Sequence, residues 1–343
     1  MKILLIGQGI AGTMLAWALQ RRGTQVFIAD AELPGNASSV AAGIINPVTG
    51  KRFVKSLRFD EVFPPAKSSH PLLEKELGIK GWAEQSILRL LATPEEANDW
   101  SARCALPNYA DFLRESGDAG GWSGLVNPGF KFGSIQRAAR VDFQQLIAAF
   151  RQKAISSGVF LEKKLDSQGA EQLLGEYDSI IFCEGYRGQE NPFFPDLPWQ
   201  LAKGEALLIR FEDERASAIG EMLKKTMTLV PVGDNLFWAG GSFQWHFPNL
   251  LPSEDEKQFI LNHLTEMLAA PFETVGHVAG VRPTVKDRRP FIGQSRANPK
   301  IFIFNGLGTK GALLAPFWAE HFAAHILEGK QLDAAVDVRR FAK

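Results

Sequence analysis

A hexapeptide near the start, Gly7-Gln8-Gly9-Ile10-Ala11-Gly12, has the G-x-G-x-x-G spacing and lies between an apolar run, Ile3–Ile6, and a helical stretch, Thr13–Arg22. In that setting the first glycine permits a tight turn, the second lets the backbone approach a pyrophosphate, and the third lets helix and strand pack closely. Phosphates would sit on the helix N-terminus beside Ile10 and Ala11, where free N–H groups and the macrodipole stabilise negative charge. Val26–Ala29 follows as a second strand, and Asp30 stands at its end, 18 residues after Gly12. A carboxylate there can accept both hydroxyls of a ribose and disfavours a 2′-phosphate. A glycine-rich structural turn would share the spacing but not the two strands, the helix and the terminal acid. The expectation is a dinucleotide site made by Gly7, Gly9, Ile10, Ala11, Gly12 and Asp30; this motif alone does not choose between NAD and FAD.

Other blocks of small residues and isolated charges follow. Ser38-Ser39-Val40-Ala41-Ala42-Gly43 offers small side chains for close backbone approach. The buried run Ser179–Cys183 ends at Gly185, on the strand end that faces the cofactor in a doubly wound sheet. Gly280-Val281-Arg282-Pro283-Thr284 is followed by Asp287, Pro290, Ile292 and Gly293, and Gly306-Leu307-Gly308-Thr309-Lys310-Gly311 forms a second glycine-rich turn ahead of a helix. Asn46–Arg52 ends in Lys51 and Arg52, with Lys55 and Arg58 beyond.

Together these blocks resemble the D-amino-acid oxidase family of flavoproteins, which includes glycine oxidase, sarcosine oxidase and the FAD-dependent domain of a tRNA-modifying enzyme. The similarity spans nearly the whole length, and the block from Gly280 to Gly293 is its most specific part. The resemblance implies FAD as cofactor, with Ser38, Ser39, Ala41, Ala42 and Gly43 running beside flavin and pyrophosphate. It implies that Gly204 opens the substrate domain and that Pro231–Gly241 lies over the flavin. Gly306, Gly308, Thr309, Lys310 and Gly311 would bring a helix N-terminus to the pyrimidine edge of the ring. Arg282 would pair with a substrate carboxylate, a task that suits a guanidinium with two parallel donors; the bland alternative is a structural ion pair. Lys310 either assists the flavin and substrate or faces solvent. Arg52 is a candidate second carboxylate ligand, or else part of a solvated or phosphate-contacting face with Lys51, Lys55 and Arg58. Trp245 and His246 either line the pocket or are structural. Leu307 departs from the pattern, since many relatives carry His there.

The elements that must position these groups follow from length and periodicity. At 343 residues two domains are the default. Lys plus Arg and Asp plus Glu both total 38, so no global field draws the chain to nucleic acid or anionic lipid, although a local basic patch stays open. Cys104 and Cys183 lack metal-ligand spacing, which fits a reducing cytoplasm without a zinc site or disulfide framework. Glycines interrupt the apolar start, against a secretory leader, and no apolar run is long enough for a membrane span. Phe143, Leu146, Ile147 and Phe150 have helical spacing up to Gly158, Val159–Leu161 reads as a strand, and Ile301–Phe304 and Ala312–Leu327 read as strand and helix. Ser86–Leu91 reads as a helical patch in an otherwise weakly periodic insertion; Pro34–Arg52 reads as a long loop. Ala206–Ile209, Thr226–Val230 and Leu236–Ala239 read as strands with a helix near Glu256–Leu268.

The expected architecture is therefore α/β: a discontinuous Rossmann-type FAD-binding domain (1–55, 135–200 and 276–343) with an inserted α+β substrate domain (56–134 and 201–275) on a mostly antiparallel sheet. The expected chemistry is oxidation of the C–N bond of a small amine or amino acid by hydride transfer to flavin N5, with no side-chain base required. The alternatives are a tRNA-modifying oxidoreductase acting on an aminoalkyl uridine, and a dinucleotide-binding protein without turnover.

Overall fold

The computed structural model describes residues 1–341. A six-stranded sheet has the spatial order Phe160–Glu162, Gln25–Asp30, Lys2–Ile6, Ser179–Phe182, Ile301–Asn305, Phe291–Gln294. Its first five strands are parallel and the last is antiparallel. Ser179–Phe182 and Ile301–Asn305 are buried at every residue, as continuous apolar runs must be when helices cover both faces. Strands from the beginning and the end of the chain thus lie one strand apart. The helices that follow them, Ile10–Gln20 and Gly311–Glu328, pack side by side, and the Arg22 guanidinium reaches Glu320 at 2.6 Å.

The second sheet has eight strands in the order Phe272–Arg282, Ala202–Phe211, Leu236–Gly240, Thr228–Gly233, Met222–Lys224, Ile87–Leu91, Lys131–Ile135, Leu113–Ser116. All neighbours are antiparallel except Met222–Lys224 with Ile87–Leu91. Because strand side chains alternate, one face takes Leu207, Ile209, Phe237, Ala239, Leu229 and Leu223. These residues are buried with Ile260, Leu264 and Met267 of the helix Glu254–Met267. The opposite face carries Gly204, Ala206, Trp238, Gly240, Val278, Gly280 and Arg282 and looks toward the nucleotide sheet. The architecture is the expected mixed α/β fold with a mostly antiparallel second sheet. Its first strand in spatial order, Phe272–Arg282, runs across residue 276 as one unbroken element.

Two expectations fail inside the weakly periodic segment. Ser86–Leu91 is not helical: Ile87–Leu91 is a strand with burial on both faces, so its apolar run has no alternation to distinguish it from a buried helix. Nearby, Phe59–Leu77 is a full helix despite Pro64, Pro65 and Pro71. Each proline lacks the N–H that would bond the carbonyl four residues earlier, at Asp60, Glu61 and Lys67, and the Ser68 hydroxyl adds bonds to the Pro64 and Pro65 oxygens at 3.1 Å each. This helix packs against Gly311–Glu328. The loop from Pro34 contains a 3₁₀ turn, Ala37–Ser39, and the short strands Ile44–Ile45 and Val48–Thr49. No helix of the described residues is long and apolar enough to cross a membrane.

The turn after the first strand tolerates no side chain at two positions. A Cβ on Gly12 would collide with the Gly7 carbonyl oxygen, and one on Gly7, whose φ is +100°, would lie 2.5 Å from the Cys183 oxygen. Gly12→Ala therefore overpacks backbone against backbone and is expected to destabilise the protein by about 1–3 kcal/mol, lowering Tm in thermal unfolding; an unchanged Tm would show that the turn yields freely.

Candidate active site

Between the two sheets lies a cavity of about 570 Å³, within the range of small-molecule and cofactor sites. On the nucleotide side it is lined by Gly7, Gly9, Ile10 and Ala11, with Gly12 packed directly behind. The helix Ile10–Gln20 begins without a capping side chain on Gly9 and without an acidic residue in its first turn. Its positive end therefore faces the cavity, approached only by the Ser38 hydroxyl, which accepts from the Ile10 N–H at 3.1 Å. Ser38 is fixed in turn by the Asn36 side chain, which accepts from its backbone N–H.

The closing helix offers a second such end. Gly311–Glu328 has neither a side-chain cap on Lys310 nor an acid in its first turn, and Gly308, Thr309, Gly311 and Ala312 line the cavity. Gly311 lies so close to the opening helix that a Cβ would sit 2.9 Å from Ile10 Cγ2. The first turn of this helix is tied from outside by His70, whose buried Nε2 donates to the Ala312 carbonyl at 2.8 Å. Burial pushes the His70 imidazole down to about 4, so it serves as a neutral donor. Sequence reasoning missed His70 because it sits on the proline-containing helix that was read as irregular.

Asp30 closes the far end. One of its oxygens accepts from the Gln8 N–H at 2.6 Å; the other accepts from the Glu32 N–H at 2.8 Å and from Arg151 Nη2 at 3.0 Å. Arg151 also donates to the Gln8 side chain at 2.7 Å and pairs with Glu32. A carboxylate has about four acceptor positions, and the protein fills three of them at Asp30. Lys163 and Lys164 also line this end, while Gly185, with φ +60°, and Glu184 line the wall beside Gly7. Burial raises the Glu184 carboxyl to about 7, against the opposing pull of Asn191 and Arg187.

The opposite wall is the open face of the eight-stranded sheet. Its floor lacks side chains where flat groups lie down: a Cβ on Gly204 would collide with the Arg282 guanidinium, and one on Gly240 with the Trp238 indole. Trp238 Nε1 donates to the Val40 carbonyl at 2.9 Å, joining this wall to the segment Ser38–Gly43. Ala41, Ala42 and Gly43 line the cavity, and a Cβ on Gly43 would run into the Val141 carbonyl. Arg282 Nη1 donates to the Ser242 carbonyl at 3.0 Å, and its guanidinium lies 5.2 Å from the Phe243 ring centre. No carboxylate among the described residues pairs with Arg282, and burial pulls its guanidinium down to about 10.

Behind Gly204, on the other face of the strand, the buried Lys203 ammonium meets Glu205 at 2.7 Å. Burial opposes ionisation of Glu205, but Lys203 and the Ser253 donors outweigh it and hold the carboxyl below its ordinary range. Because Ser242 Oγ accepts from the Glu205 N–H while Lys203 donates to Leu251, this network anchors the loop whose carbonyl holds Arg282.

The other expected site residues lie farther off. Lys310 is outside the lining and donates from Nζ to Ser56 Oγ at 3.2 Å; burial and Arg288 lower its basicity. Gly306 packs against Phe291, and the Ser39 hydroxyl donates to the Asn36 carbonyl. Arg52 is exposed, its carbonyl accepting from Arg103, and His246 is exposed. Trp245 is exposed and stacks edge-on with Phe243. A cavity-lining cation that sequence reasoning missed is Lys224, whose Nζ donates to Thr228 Oγ1 at 3.0 Å. Its strand is three residues long, too short to show which face it presents.

Two helix N-termini without N-cap side chains, an acid at the end of the second strand and a half-buried arginine on a facing sheet define a cleft of the dinucleotide-binding class. The model of the family DAO, FAD dependent oxidoreductase, matches residues 2–325, and the chain belongs to that family. It is thus an FAD-dependent oxidoreductase, and the cleft fits the cofactor: glycine-floored at both turns, free of side-chain caps, and wide between the sheets. The chain is 25% identical over 352 residues to the tRNA 5-methylaminomethyl-2-thiouridine biosynthesis bifunctional protein MnmC of Acinetobacter baylyi, covering 94% of this chain but 52% of that protein. It therefore spans about half the length of this relative. It is 21% identical to the glycine oxidase of Pseudomonas putida, covering 92% of this chain and 91% of that one. The crystal structure of glycine oxidase from Geobacillus kaustophilus superposes with a TM-score of 0.79 at 19% identity, covering 97% and 96% of the two chains.

Gly204→Ala is expected to lift the Arg282 guanidinium off the sheet while leaving the nucleotide side intact. In titrations followed by flavin absorbance it should weaken carboxylate binding at least tenfold with FAD retained; unaltered carboxylate binding would show that the guanidinium does not depend on this bare floor.

Proposed function

We propose that the protein oxidises the C–N bond of a small amine or amino acid whose carboxylate is held by Arg282. The observation that carries this reading is the half-buried guanidinium on the cavity face of the second sheet, without a carboxylate partner among the described residues. A buried cation without an acidic partner costs free energy, and a planar donor pair aimed into a cavity is suited to a carboxylate. Arg282 stays charged at neutral pH, and the Ser242 carbonyl takes up one donor, fixing the plane of the group. Gly204 lets the Arg282 guanidinium lie flat on the sheet, and Gly240 does the same for the Trp238 indole, so that both groups border the cavity.

Bound flavin would supply the oxidising power for removal of a hydride from the carbon that bears the neutral amine. What this chain contributes is orientation and exclusion of water: Arg282 fixes the carboxylate, and Trp238 and the small-residue floor fix the distance between the substrate and the opposite wall. The uncapped end of Gly311–Glu328 favours negative charge at the neighbouring part of the site, and His70 holds that turn in place. Within this reading the first sheet and the helices on it bind the cofactor, the helix Phe59–Leu77 supporting them through His70, while the second sheet, including the whole strand Phe272–Arg282 across the expected boundary at 276, shapes the substrate side.

A second reading rests on the relatives named for tRNA 5-methylaminomethyl-2-thiouridine biosynthesis. There the amine would sit on a tRNA base, and affinity for tRNA would fall steeply with ionic strength; salt-insensitive or undetectable binding removes it.

Arg282→Ala is expected to raise KM for a carboxylate-bearing amine by about two to three orders of magnitude, as loss of a buried charge-assisted pair does, while the flavin absorbance spectrum is kept. Anaerobic flavin reduction by a panel of amines and amino acids reads this out directly. Equal KM in the two proteins would take Arg282 out of the site.

A further inference from the structure

We propose that Lys224 forms a second anion subsite in the same cavity, so that the substrate is an amine or amino acid bearing two anionic groups, one held by Arg282 and the other by Lys224. This rests on the reading of Arg282 given above.

Lys224 is the last residue of the strand Met222–Lys224 and lines the cavity. Cross-strand registers place it on the same sheet face as Arg282: Lys224 opposes Thr228, Thr228 opposes Gly240, Gly240 opposes Ala206, and Ala206 opposes Val278. Its side chain leans inward across the sheet, toward Thr228. The only polar partner it has among the described residues is that neutral hydroxyl; no carboxylate pairs with it.

Its strand neighbour makes matters worse. Lys224 pairs in register with Arg89, a like charge, and burial together with Arg89 pulls its ammonium down to about 8. A lysine needed only for packing would be better replaced by an apolar side chain, since a buried unpaired cation is costly. The carboxylates around the cavity do not serve it. Asp30 is taken by Arg151 and Glu205 by Lys203, while Glu184, Glu190 and Asp166 lie on the nucleotide side.

One carboxylate cannot satisfy both cations. Four strand-to-strand steps at about 4.8 Å separate Lys224 from Val278, and four residues at about 3.3 Å separate Val278 from Arg282. The two backbones are therefore about 19 Å apart across the sheet and about 13 Å apart along it, a gap that the two side chains narrow but do not close. A ligand that meets both must carry its charges at opposite ends of an extended chain.

The test uses the holoenzyme and follows flavin absorbance. The probes are α,ω-dicarboxylic acids from malonate to suberate, each matched by the monocarboxylic acid of equal length. The expected result is that long dicarboxylates bind at least tenfold more tightly than their monocarboxylate partners. Lys224→Met should abolish that difference while leaving monocarboxylate binding and bound FAD unchanged, and Lys224→Arg should restore part of it. Lys224→Gln repeats the measurement with a side chain that packs differently. Absence of a dicarboxylate preference in the native protein, or its persistence in Lys224→Met and Lys224→Gln, overturns this subsite and leaves Arg282 standing. If carboxylates of neither kind bind, the reading of Arg282 fails and this one with it.

Discussion

The architecture turns on the approach of two helix ends. Gly311 packs tightly on Ile10, where an added Cβ would lie 2.9 Å from Ile10 Cγ2, and the helices that begin there present their positive termini to a single cavity. Neither helix carries a capping side chain on its own N-cap residue or an acidic residue in its first turn, and Ser38 takes up one N–H of the first. The parallel sheet beneath makes the arrangement possible, because Lys2–Ile6 and Ile301–Asn305 flank the same strand, Ser179–Phe182, with their carboxyl ends on one side. The intervening residues supply both the remaining nucleotide strands and a second sheet that serves as a lid of fixed shape.

Charge is distributed unevenly across the cleft. On the nucleotide side Asp30, Arg151, Gln8 and Glu32 are tied into one linkage. On the substrate sheet Lys203 and Glu205 neutralise each other on the face turned away, while Arg282 and Lys224 stand alone on the face turned inward.

Much of the nucleotide half was legible in the sequence because its signals are local. The spacing of Gly7, Gly9 and Gly12 between strand and helix, and Asp30 at the end of the next strand, each answer to a backbone requirement that a few residues express. Arg282 stood out through the motif around it, although its partners, Gly204 beneath and the Ser242 carbonyl beside it, come from strands and loops far away in the chain. Arg151, His70 and Lys224 were invisible for the same reason. Arg151 matters only because the helix Phe143–Ser156 lies beside the end of Gln25–Asp30, and His70 only because a helix containing three prolines packs on the closing one. Ile87–Leu91 was misread because burial on both faces erases the alternation that marks a strand.

The bond from the Trp238 indole to the Val40 carbonyl ties the substrate sheet to the segment that borders the cofactor groove. Reshaping the pocket at Trp238 to admit a bulkier compound would also release the main chain at Val40, beside Ala41 and Ala42. On the proposed function, a change at Trp238 made for the substrate would therefore also be felt by the segment on the cofactor side.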